Sequence, residues 1–105
     1  MPETFLNQAH ELIAAGKVGD AILLLEEAVE AGKETAGIAK LLAKLSLQID
    51  EVRAFQSWCH EALRIDPTDT EVHQMLESYF RAHGRDFEAD EVKAVAASII
   101  ARGKS

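Results

Sequence analysis

The stretch FLNQAHELIAAGKVGDAILLLEEA, residues 5–28, decides the fold. Phe5, Ala9, Leu12 and Ile13 recur at spacings of three and four ahead of Gly16. Ala21, Leu24, Leu25 and Ala28 do the same after it. Each set is the apolar stripe of an amphipathic helix. Two such stripes separated by a glycine turn predict an αα-hairpin.

The same pattern returns along the chain at a fixed interval. Gly16, Asp50 and Gly84 stand 34 residues apart at turn-like places, and Ala28, Ala62 and Ala96 keep the same interval. Ala21, Phe55 and Ala89 follow it, as do Leu12, Ser46 and Phe80, and more weakly Phe5, Ala39 and His73. The period divides the chain into units of about 2–35, 36–69 and 70–103. Helices are expected near 36–48 and 52–65 in the second unit and near 69–83 and 87–102 in the third. Pro67 stops the second unit, because proline cannot continue a helix interior. Thr68 is expected to cap the next helix, with Glu71 reaching back to it.

The small residues let two helices approach closely, where larger side chains would hold them apart. The second unit breaks this rule with Phe55 in place of alanine, and Ser46 in place of the large Leu12 or Phe80. The reading is an exchange of volume across one helix pair.

With these residues in register, the chain resembles the tetratricopeptide repeat family. The matching positions are Phe5, Ala9, Leu12, Gly16, Ala21, Leu25 and Ala28 in unit one. Leu42, Ala43, Cys59, Ala62 and Pro67 match in unit two, and Leu76, Phe80, Gly84, Ala89 and Ala96 in unit three. The rival, a Sel1-like hairpin array, tends to vary in period, whereas this chain does not. The resemblance implies an all-α fold: a six-helix α-solenoid of three stacked helix-turn-helix hairpins in a right-handed superhelix. It is read as a single domain spanning 1–105.

Glu77 stands where Ala9 and Ala43 stand, and Lys93 where Leu25 and Cys59 stand. They read as the polar outer face of a terminal repeat, paired with each other. The alternative is contact with a partner. Three periods of 34 leave a remainder of 3 residues, too few for an additional capping helix.

Composition narrows the function. The 105 residues carry 18 acids and 11 bases, a net charge of −7, which argues against a nucleic-acid binder or an anionic membrane surface. No apolar run approaches the ~20 residues of a membrane span, and no secretory signal opens the chain, so a cytoplasmic setting is expected. His10, His60, His73 and His83 have no histidine partner four residues away, and Cys59 in a core register reads as an inert thiol. Adjacent acids such as Glu26 and Glu27 read as solvated faces. No catalytic, cofactor-binding or metal-ligating constellation emerges, and an enzyme is not expected.

In the family, the first helix of each unit lines a concave surface that holds peptides. The resemblance therefore places Leu6, Asn7, His10 and Ile13 in such a groove, with Lys40, Leu41, Lys44, Leu47 and Gln48 after them. Met75, Ser78 and Arg81 complete it, with Gly37 among the lining residues. One subtype grips chaperone C-termini with a carboxylate clamp of Lys, Asn and Arg. Its five registers here hold Leu6, His10, Leu41, Glu71 and Met75, which do not match. Lys40, Lys44 and Arg81 set against Glu3 and Glu71 leave the expected groove slightly cationic within an acidic chain. Trp58, the only tryptophan, reads as a partly buried packing residue.

The expected function is a protein–protein interaction module, a scaffold, adaptor or chaperone-like holder. Its partner would be a protein or peptide segment with apolar and acidic residues. The alternative is a self-associating building block whose terminal face, Val92, Val95, Ile99 and Ile100, forms a homodimer or oligomer.

Overall fold

The computed structural model describes residues 2–103, with the side chains of 5–102. Among the described residues the regular structure is all helical, with six helices: α1 Pro2–Ala14, α2 Val18–Glu30, α3 Ala36–Gln48, α4 Val52–Ile65, α5 Thr70–Ala82 and α6 Asp86–Gly103. α1 packs on α2, α3 on α4, and α5 on α6, which makes three hairpins. The bounds of α3 and α4 are those the periodicity predicts.

The hairpin turns repeat down to individual hydrogen bonds. Gly16 N–H donates to Ile13 O at 2.9 Å, and Lys17 N–H to Leu12 O at 2.8 Å. Asp50 and Glu51 make the equivalent bonds to Leu47 and Ser46 at 3.1 and 2.9 Å, and Gly84 and Arg85 to Arg81 and Phe80 at 3.2 and 2.8 Å. This Schellman pairing closes the last carbonyls of each first helix and requires a left-handed residue after it. Gly16 adopts φ 79°, Gly84 72°, and Asp50 62°. Glycine takes that conformation freely, whereas aspartate pays a steric penalty for it.

The chain forms two compact units, Met1–Ile65 with the first two hairpins and Asp66–Ser105 with the third. In the first, Ala9, Ala21, Leu25, Ala28, Ile38, Leu42 and Leu45 form one buried cluster, and α3 lies against both α1 and α2. Trp58 packs half-buried against it, as its register predicts. The alanines at 9, 21 and 28 have no exposed surface, which is what close helix approach demands. Phe55 and Ser46 are both buried, on the paired helices α4 and α3.

In the second unit, Val72, His73, Leu76 and Ala89 are buried. The start of α5 corrects the expected cap. Asp69, not Thr68, is the N-cap: its Oδ1 accepts from Glu71 N–H at 3.0 Å and Val72 N–H at 3.3 Å. Thr68 is drawn back instead, its hydroxyl donating to Asp66 Oδ1 at 2.8 Å. A carboxylate facing the helix N-terminus adds a favourable charge interaction that a threonine hydroxyl lacks. Upstream, Thr35 caps α3 through its hydroxyl, which accepts from Ile38 N–H at 3.2 Å.

The pairing expected between Glu77 and Lys93 also needs correction. Glu77 is taken by Arg81, one turn on, at 3.3 Å, and Lys93 is exposed. Arg81 lies within bonding reach along the same helix, whereas Lys93 sits on α6.

Candidate functional site

On the first unit, α1 and α3 run side by side and leave an open depression of roughly 220 Å³ between them. Leu6 and His10 line it from α1, and Gly37, Lys40, Leu41 and Lys44 from α3. Every one of these residues is expected in the groove from sequence. The helical period is the reason: 6 and 10 share one face of α1, and 37, 40, 41 and 44 one face of α3.

Gly37 has a local role here. A Cβ at this position would stand 3.4 Å from Leu6 Cδ1, so its absence lets the Leu6 side chain reach the first turn of α3. Leu6 and Leu41 are half-buried and make the apolar part of the site, and His10 is exposed at its edge. Lys40 and Lys44 are half-buried one helical turn apart. Like charges at that spacing cost a helix about 0.2–0.5 kcal/mol. The depression thus combines an apolar wall with basic side chains.

Of the other groove residues expected in this unit, none lines the depression. Asn7 is exposed, and Ile13 packs against the core cluster. Leu47 and Gln48 are exposed at the end of α3. Met75, half-buried, and Ser78, exposed, belong to α5 in the second unit. Arg81 is there too, but acids surround it: Asp90 at 3.1 Å, Glu77 at 3.3 Å and Asp86 at 3.7 Å. The hydrogen bond to Asp90, then that to Glu77, raises the hold of its guanidinium on its proton. Its positive charge is answered within its own hairpin. Glu3 lies outside the residues whose side chains are described.

A smaller depression of about 120 Å³ opens between α5 and α6, lined by Thr70, His73, Gln74, Glu77, Lys93, Ala96 and Ile100. His73 is buried, its Nε2–H donating to Pro67 O at 2.8 Å. Glu77 and Lys93 both line this hollow without pairing. No signal in the sequence placed Thr70 and His73 there. On α6, Val95 is 47% exposed, and Val92, Ile99 and Ile100 are half-buried. Phe87, at 79%, is more exposed than any of them.

One charged cluster was not legible in sequence. Arg64 grips Glu61 through Nε at 2.6 Å and Nη2 at 3.1 Å, with Glu34 Oε1 at 4.0 Å. Glu34 Oε1 is buried without a hydrogen-bond partner. Burial, and then the neighbouring Glu61, push the Glu34 carboxyl up. Arg64 holds Glu61 down at about 2. Glu34 lies in the α2–α3 connection and the other two on α4, so only folding joins them. The Cys59 thiol is fully buried and pushed up to about 12 by desolvation, which leaves it a packing group. Among the described residues, no three His, Cys, Asp or Glu side chains gather as metal ligands would, and no helix is long and apolar enough to cross a membrane.

No curated protein is significantly similar to the chain. The tetratricopeptide repeat family does match, over residues 12–79, which spans the first hairpin turn, the whole second hairpin and most of α5. That match, the 34-residue period and the hairpin turns closed by identical hydrogen bonds make the chain a member of the tetratricopeptide repeat family.

Proposed function

We propose that the protein is a non-catalytic protein–protein interaction module that holds a segment of a partner in the depression between α1 and α3. Repeats of its family generally mediate protein–protein interaction. The observation that carries the finer reading is the convergence of Leu6 and Leu41 with His10, Lys40 and Lys44 in one open hollow. An apolar anchor fits the leucines, and an adjacent carboxylate fits the basic side chains. The partner segment is therefore acidic and apolar, and the chain acts as a scaffold or adaptor. Leu6, His10, Leu41, Glu71 and Met75 lack the clamp residues, so recognition of a chaperone C-terminus is not part of this reading. We place all three hairpins in one functional domain, and the protein in the cytoplasm, where the buried Cys59 thiol stays reduced.

Reversal of charge tests the reading. Lys40→Glu together with Lys44→Glu should weaken binding of a leucine–glutamate peptide tenfold or more, with an unaltered helical circular dichroism signal. Unchanged affinity would remove this hollow from consideration.

A second reading has one observation behind it: Val95 stands exposed on α6, with Val92, Ile99 and Ile100 half-buried on the same helix. Such a face favours self-association into a homodimer or oligomer. Light scattering across protein concentration decides it, since a strict monomer at high concentration excludes it.

A further inference from the structure

One histidine stands in the α1–α3 hollow, and its placement gives it a role in binding. His10 is exposed at the edge of the hollow, and Lys40 and Lys44 line the same hollow from α3. These lysines are the charged residues facing it from that helix. α2, which also packs on α1, contributes no lining residue. On its own helix, the neutral Asn7 lies one turn earlier, and Glu11 follows next in the chain, about 100° around the helix.

Resting on the groove reading above, we propose that His10 takes up a proton from solvent when an acidic segment enters this hollow, so that the partner is held more tightly as pH falls. Lysine stays charged across the neutral range, whereas imidazole changes charge within it. A carboxylate brought against an imidazole favours its charged form. Leu6 and Leu41 exclude water from one side of that contact, which strengthens the attraction between carboxylate and imidazolium. Binding and protonation are then linked, and each promotes the other by the same factor. His10 thereby serves as a specificity residue for anionic partners, with the lysines as a constant background of charge. The other histidines do not line this hollow.

Isothermal titration with a leucine–glutamate peptide tests this on the full chain. The glutamates remain ionised throughout the neutral range. Affinity should rise roughly three- to tenfold as pH is lowered from about 7.5 to about 6. Buffers of different ionisation heat should report net proton uptake on binding. His10→Asn should flatten the pH dependence, and His10→Lys should give tight binding at both pH values. His60→Asn, on the exposed surface of α4, should leave the slope in place. A slope that survives His10→Asn, or no proton uptake by the unaltered protein, overturns the role of His10 while the groove reading stands. Failure of the peptide to bind, or binding indifferent to Lys40→Glu with Lys44→Glu, overturns the groove reading and this inference with it.

Discussion

At the register where the first two hairpins bury Ala9 and Ala43 completely, the third presents the half-buried Glu77. Where they bury Leu25 and Cys59, it exposes Lys93. The turns of all three hairpins are nevertheless closed by the same pair of hydrogen bonds. Hairpin geometry and interior chemistry are thus separable. The turn follows from local backbone chemistry, whereas the residue at a core register follows from what covers it. A repeat can keep its hairpin while two of its core positions become polar, because a helix needs only a partial apolar stripe to pack on one neighbour.

The largest expected effect tests the exchange of volume inside the second hairpin. Phe55→Ala should cost about 3–5 kcal/mol, read as a shifted denaturant midpoint, because Ser46 is too small to fill the space. A loss well under 1 kcal/mol would mean that the bulk of Phe55 is not compensated by Ser46. Next comes the register comparison itself. Leu25→Ala should cost about 2–5 kcal/mol, while Lys93→Ala at the equivalent position should stay within about 0.5 kcal/mol. Equal losses would erase the distinction between the hairpins.

The turns should behave more alike. Gly16→Ala forces a Cβ into a left-handed conformation and should cost about 1–2 kcal/mol, although nothing lies within 4 Å to clash with it. Asp50→Gly relieves that conformation and should be neutral or stabilising by up to about 1 kcal/mol, set by thermal denaturation against the entropy glycine adds to the unfolded chain.

The smallest effects concern pH. The Glu34 carboxyl is raised in the fold, so its contribution is present below its unfolded pKa and is lost as pH climbs through its folded value. Glu61, held at about 2, contributes above its unfolded value, and that contribution is lost as pH falls toward about 2. Glu34→Gln should therefore flatten the loss on the neutral side of the stability profile and leave the acid limb. Glu61→Gln should diminish the acid limb. Denaturant midpoints measured across pH separate the two limbs, and a Glu34→Gln profile identical to the parent would show that the buried carboxyl does not titrate with folding.

Much of the molecule is legible from local chemistry. The 34-residue period, the bounds of α3 and α4, the turn positions and the shared face of Leu6, His10, Lys40, Leu41 and Lys44 follow from helical spacing and turn residues, which act over a few positions along the chain. The charge pairings were not legible. Arg81 reads as a groove cation until Asp86 and Asp90 of α6 arrive beside it, and Glu34 reads as a surface acid until α4 brings Glu61 and Arg64 against it. The choice of Asp69 over Thr68 as cap turned on where the backbone amides of α5 point. The sequence by itself determined which residues share a helix face, because that depends on a period. Only the tertiary structure decided which charges are answered, because a side chain's neighbours across a helix interface come from distant parts of the chain and their attraction depends on distance and burial.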